Sequence, residues 1–202
     1  VTLIFSLERY RAVMEAYLDG VERYIASGGD PAGVASVASF FVSRMDVEVD
    51  RRLAEIGTDE AHSLAGKTAV ANTRLAYQAF FETFRGERWQ RLVSAGARIQ
   101  RPLWASTSTK NPDYPDTLYV HELIAAHTVN TMPLETIDAY QDHGPRPQAF
   151  GPEEIAEAHA IIRSMGDVGI EYDDVMDVLE TEGVDKFIAS WNDLVADVES
   201  QL

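Results

Sequence analysis

The sequence has no cysteine among its 202 residues, which excludes disulfides, thiolate metal ligands and cysteine nucleophiles. It has no apolar run approaching the length of a membrane span, and no basic-then-apolar segment opens it; the cytoplasm is the expected compartment. Positive charge is scarce: 17 lysines and arginines stand against 33 aspartates and glutamates, a formal net charge of −16. An acidic surface repels nucleic acid and anionic membranes, so neither is expected as a partner. A phosphorylated small molecule stays open, because it needs only a local cationic pocket. Lysine occurs only at Lys67, Lys110 and Lys186. There is no glycine-rich nucleotide loop and no low-complexity segment.

What is present is an ordinary globular balance, 46% hydrophobic and 25% charged, in a chain long enough to bury a sizeable core. The opening run VTLIFS is apolar and strand-like, without an initiator methionine or a preceding turn signal. Buried strands of this type sit inside domains rather than at frayed ends. Val1 is therefore read as a cut point within a larger protein.

Strand-like runs are expected near 1–6, 34–42, 99–106 and 128–132, each followed by helix. Ser6 reads as an N-cap, and apolar residues at helical spacing (Leu7, Tyr10, Met14, Leu18, Val21) follow it to Gly28–Gly29. Further helices are expected over 46–57, 66–84, 87–96, 117–124 and 134–144. After the loop GPRPQAFGP come acidic amphipathic helices, 153–166, 172–183 and 184–202. Repeated β–α units describe a parallel sheet, and four of them are half of an eight-fold (β/α) barrel. That fold places its chemistry at the C-terminal ends of the strands. Here those ends carry Ser6, the Ser39–Arg44 stretch, Ser106 to Lys110, and Asn130–Thr131.

The most informative stretch is IQRPLWASTSTK, from Ile99 to Lys110. Its apolar pair Leu103–Trp104 runs into four consecutive hydroxyl residues and then an ammonium. Hydroxyls, backbone N–H groups and one cation are the parts needed to hold a phosphate. A serine/threonine-rich surface turn with a solvated lysine accounts for the same residues.

The segments VTLIFSLERY, SVASFFVSRMDVEVDRRL, GKTAVANTRLAYQAF, RPLWASTSTKNPDYPDTLYV and TVNTMPLETIDAYQDHG together resemble the C-terminal portion of an actinobacterial-type transaldolase. The likeness covers essentially the whole chain. It implies an α/β fold, the C-terminal half of a (β/α)8 TIM barrel with additional C-terminal helices, with 1–202 forming one partial domain from about the fifth strand. It also implies transfer of a dihydroxyacetone unit between sugar phosphates through a lysine Schiff base. The exchange would be sedoheptulose 7-phosphate and glyceraldehyde 3-phosphate to erythrose 4-phosphate and fructose 6-phosphate. No metal or other cofactor is expected.

Position by position, the resemblance assigns Thr2 to holding the catalytic water. Ser39 and Arg44 would contact substrate hydroxyls and phosphate, with Phe41 a wall of the pocket. Ser106 matches the serine of the family's phosphate-binding motif. The arginine of that motif is absent; Ser108 stands near its place and Lys110 just beyond, so Lys110 is the expected substitute, less specific than a bidentate arginine. The Schiff-base lysine and the proton-shuttling acids of the family would precede Val1. Lys67 reads as a solvent-facing helix residue and Lys186 as the partner of Asp185 or Glu182, so this chain alone is expected to be inactive.

Several further features have plain structural readings. His62, His121, His127, His143 and His159 are scattered, and His121–Glu122 reads as an ordinary helix pair. Asp173–Asp174 and Glu180–Glu182 read as acidic turns without calcium-loop spacing. Trp191 with Phe187, Leu194 and Val198 reads as core packing of the last helix. The alternative to an enzyme fragment is a non-catalytic half-barrel that binds sugar phosphates or assembles with another half. Exposed barrel edges would drive self-association.

Overall fold

The computed structural model describes residues 1–201. Ser6 accepts a hydrogen bond from the Arg9 N–H (3.1 Å) and starts α1, Leu7–Ala26. This helix buries Tyr10, Met14, Leu18 and Val21 along one stripe. A single 3-10 turn leads to β1, Ser36–Phe41, and α2, Ser43–Ile56. Three helices follow, α3 (Asp59–His62), α4 (Thr68–Thr83) and α5 (Glu87–Ser94), before β2, Gln100–Ala105. The rest is α6 (Leu118–His121), β3 (Val129–Asn130), α7 (Leu134–His143), α8 (Pro152–Asp167) and α9 (Tyr172–Glu199).

The three strands form one parallel sheet in the order β1-β2-β3. β1 and β2 pair from Ser36↔Gln100 to Phe41↔Ala105, and β3 adds Leu103↔Val129 and Trp104↔Asn130. The opening run lies parallel to β1 on its free edge, with the Ser39 N–H donating to the Val1 carbonyl (3.0 Å) and the Phe41 N–H to that of Ile4 (2.9 Å). Leu3 takes a left-handed backbone, φ 59°. The expected first strand is thus reduced to one bridge, Ile4↔Phe40, because a side chain at positive φ cannot continue the pleat.

One face of the sheet is covered by helices. Ala38, Phe40, Pro102 and Trp104 point into that core, where the Phe40 ring meets Trp104 and Tyr10 edge-on at 6.2 and 5.8 Å. Val37, Ser39, Phe41 and Leu103 lie on the other face and are only partly covered. α4 sits deepest, buried on most of its circumference between α1, α2 and α8.

Further expectations need correction. The fourth strand is two residues long, and the helix expected over 117–124 is one turn. The helices expected over 172–183 and 184–202 are one continuous α9 running through Gly183; glycine weakens a helix by about 1 kcal/mol but does not end it. Here it permits close packing, since a Cβ at Gly183 would stand 3.2 Å from the Phe5 ring. Asp173, Asp174, Glu180 and Glu182 are accordingly helical rather than in turns. The last correction concerns the stripe of α9. Val175, Met176 and Leu179 are buried at its root, but Phe187, Trp191, Leu194 and Val198 are exposed, Trp191 by 65%. The helix outruns the elements it packs on, so its periodic stripe has no described surface to meet.

Candidate active site at the strand ends

The polar segments expected at the strand ends do converge on one end of the sheet. Beyond the last paired residues the ladder continues, with the Val42 N–H donating to the Ala105 carbonyl (2.9 Å) and the Ser43 N–H to that of Ser106 (3.1 Å). The hydroxyls of Ser43 and Ser106 lie 2.9 Å apart. Ser106 takes a left-handed backbone, φ 57°, a conformation costing about 1 kcal/mol or more in a non-glycine residue. The strain is held by Thr107 next to it. This buried hydroxyl donates to the Asn130 side chain or the Thr131 carbonyl (2.8 and 2.9 Å), tying the end of β2 to that of β3.

Phe41 and Arg44 line a cleft together with Leu3 and Phe5. α9 forms its other wall through Leu179, Glu182, Gly183, Lys186 and Phe187. Arg44 stands exposed in the first turn of α2, its guanidinium free among the described contacts. Lys186 donates to Glu182 at 2.6 Å, one of the two partners expected for it, and Lys67 is exposed. Ser39 sits half-buried in β1, two residues before Phe41 on the same face, and Thr2 is exposed on the edge run. Ser108 accepts from the Lys110 ammonium at 2.7 Å. Ser106, Ser108 and Lys110 are outside the lining of the cleft; the Ser43–Ser106 junction connects them to it.

Beneath Arg44, α2 turns two carboxylates inward. Asp46 is 2% exposed. It accepts from the Ala69 N–H (2.7 Å), the Thr68 hydroxyl (2.9 Å) and the Tyr119 hydroxyl (2.7 Å). Asp50, one turn on, accepts from the Gly66 N–H (3.0 Å) and the Tyr114 hydroxyl (2.7 Å). Burial pushes the Asp46 carboxyl up to about 6, with Asp50 adding to the rise and the three donors opposing it. Burial also raises Asp50, against its two donors. Both tyrosines are raised, by burial first and then by these carboxylates, so each hydroxyl keeps its proton and donates.

Sequence reasoning missed Asp46, Asp50, Tyr114 and Tyr119, and took Ser43 only as part of the polar Ser39–Arg44 stretch. A signal existed for the carboxylates, a pair spaced i, i+4 on the helix that carries Arg44. Away from this end, His121 lies 3.1 Å from Glu122, which pairs with the buried Arg74.

An open parallel sheet, helices on one face and polar segments gathered at the C-terminal strand ends define an α/β protein with a candidate site beside Arg44. The profile of the Transaldolase/Fructose-6-phosphate aldolase family matches residues 1–198. The chain belongs to that family, and its fold is a partial TIM barrel. It is 54% identical over its whole length to a transaldolase of Parafrankia sp. (strain EAN1pec), covering 55% of that protein. It is 56% identical to transaldolase 1 of Streptomyces avermitilis, covering 53%, and 55% identical to a transaldolase of Thermobifida fusca, covering 55%. The chain thus spans about half the length of these relatives. Among the described residues no helix is long and apolar enough to cross a membrane.

Proposed function

We propose that this chain supplies the phosphate-facing half of a transaldolase active site. The observation that carries the reading is the Ser43–Ser106 junction, which brings the helix bearing Arg44 and the hydroxyl run ending in Lys110 to one end of a parallel sheet. Arg44 offers a forked guanidinium to a phosphate, Lys110 a point charge, and Ser106 and Ser108 hydroxyls. Ser39 and the Phe41 ring form the floor beside them, and Thr2 on the edge run is the residue to hold a water.

The reaction is transfer of a dihydroxyacetone unit from a ketose phosphate to an aldose phosphate. A lysine amine condenses with the ketone and loses water, and the iminium accepts the electron pair released when the carbon–carbon bond breaks. That amine must be unprotonated to attack. Lys186 is paired with Glu182, Lys67 is exposed outside the cleft and Lys110 bonds Ser108, so the nucleophile is assigned to a part of the natural protein outside these residues, upstream of them by the family resemblance.

The test uses the natural protein that contains this chain. Borohydride reduction in the presence of fructose 6-phosphate should trap an adduct on a lysine other than Lys67, Lys110 and Lys186; an adduct on one of these three overturns the assignment. Arg44→Ala removes a charge-assisted bond of about 1.5–3 kcal/mol, so KM for sugar phosphates should rise about 10–100-fold. Lys110→Ala should raise it less. Unchanged KM in both variants would remove the phosphate from this end of the sheet.

A further inference from the structure

Asp46 and Asp50 lie on one face of α2, one helical turn apart, and each divides its two oxygens in the same way. One oxygen accepts a backbone N–H from the entry to α4, that of Ala69 in its first turn or of Gly66 just before it; the other accepts a tyrosine hydroxyl, that of Tyr119 or Tyr114. The two tyrosines flank the far end of the loop that begins at Ser106. The near end of that loop is bonded to Ser43, the first residue of α2. The loop carrying Ser106, Ser108 and Lys110 is therefore fastened at both ends to the helix that carries Arg44.

The turn is shaped for this arrangement. Gly66 has φ +70°, and a Cβ there would stand 2.7 Å from the Tyr114 ring, so only glycine lets the ring reach Asp50. Between the fastened ends the loop has no helix or strand of its own and is braced locally, with the Asp113 N–H donating to the Asn111 side chain at 3.0 Å. Two tyrosine hydroxyls at the far end of the loop, each on a partly or fully buried carboxylate, are more than packing alone requires of this loop.

We propose that Asp46, Asp50, Tyr114 and Tyr119 act as positioning residues, a two-rung clamp that sets the spacing between Arg44 and the Ser106–Lys110 loop and thereby the grip on a substrate phosphate. This rests on the phosphate reading above. The clamp touches no substrate atom. Loosening a rung lets the loop drift from Arg44, which weakens anything that needs both at once and spares anything that does not.

The experiment uses the natural full-length protein and the variants Tyr114→Phe and Asp50→Asn, with inorganic phosphate as the probe. Tyr114→Phe keeps the ring against Gly66 and deletes only the hydroxyl. The inhibition constant of inorganic phosphate and KM for fructose 6-phosphate should rise together, about five- to ten-fold, the equivalent of one lost hydrogen bond. KM for an unphosphorylated ketose should stay within two-fold, and so should kcat with fructose 6-phosphate. A merely structural role would move all of these together or none. If circular dichroism shows that Tyr114→Phe has lost its fold, Asp50→Asn gives the same readout from the other side of the bond. Arg44→Ala separates the two claims. If it leaves phosphate inhibition unchanged, the phosphate reading fails. If it weakens inhibition while Tyr114→Phe and Asp50→Asn, both folded, do not, the clamp is overturned.

Discussion

Two helices of this chain treat polarity in opposite ways. α2 buries one carboxylate and half-buries another, which a surface helix would turn to water, and satisfies them with five hydrogen bonds. The distal half of α9 turns Val184, Phe187, Ile188, Trp191, Leu194 and Val198 to solvent, although a core would take them. The contrast separates what a helix needs from what its neighbours supply. α2 is packed by α4, α9 and α3, and α4, the turn before it, α6 and the loop before α6 provide the donors its carboxylates use. α9 is held only at its root. There Tyr172 accepts from the Leu7 N–H and donates to Asn72, and Arg9 and Arg52 pair with Glu180 and Asp174.

The largest expected effect comes from emptying the buried acid. Asp46→Ala leaves the Ala69 N–H and the hydroxyls of Thr68 and Tyr119 without their acceptor, at about 1–3 kcal/mol for each donor that finds no other. Urea unfolding should show a loss of about 4 kcal/mol. A loss under 1 kcal/mol would mean that these donors are satisfied by water and that the α2 side of the contrast is an illusion of packing.

The second effect is a pH dependence. The Asp46 carboxyl is held at about 6 in the folded chain against an ordinary 3.8, so between those values the folded state keeps a proton that the unfolded state has lost. The stability tied to this group is fully present below about pH 4 and is lost as pH rises through 6, by at most about 3 kcal/mol. Asp46→Asn carries no such proton. The stability of wild type relative to Asp46→Asn should therefore fall between pH 4 and pH 7, measured by urea unfolding at both. An equal difference at the two pH values would show that Asp46 ionises like a surface carboxylate.

Within α9 the comparison can be made on a single helix. Leu179→Ala at the buried root removes packing against α2 and the opening run, and a loss of about 2–3 kcal/mol is expected from the lower part of the range for core leucines. The same truncation at Leu194 should be nearly silent. Equal losses at both positions would contradict the division of the helix into a held root and a bare end.

Much of this architecture was legible in the sequence, for reasons that differ by element. The β–α order could be read because each apolar run ends in small hydroxyl or basic residues, and the cap at Ser6 because its spacing to Arg9 is local. Phe41 and Arg44 line one cleft because the β1–α2 turn brings them to the same end of the sheet. The break at Leu3 was hidden, because no glycine or asparagine marks its positive φ. Asp46 and Asp50 were hidden because charges on an amphipathic helix read as solvent-facing, and their tyrosines come 73 and 64 residues later. The spacing of Phe187, Trp191, Leu194 and Val198 showed that a stripe exists. Periodicity says which side chains share a face; it carries no information on what, if anything, covers that face.

The smallest expected change in stability is also the sharpest probe of the bare half of α9. Trp89 and Trp104 are buried, at 4% and 0% exposure, whereas Trp191 is 65% exposed. Trp191→Ser in the 1–202 chain should change unfolding free energy by no more than about 0.5 kcal/mol, as for surface positions generally. Its tryptophan emission should nevertheless shift to shorter wavelength, and the fraction quenched by acrylamide should fall to near zero, because the water-facing indole is gone. Unchanged quenching would place Trp191 in a covered setting. A stability loss of 2 kcal/mol or more would mean that the distal half of α9 has found an apolar surface, and its stripe would then belong with the buried core of the molecule, not opposite it.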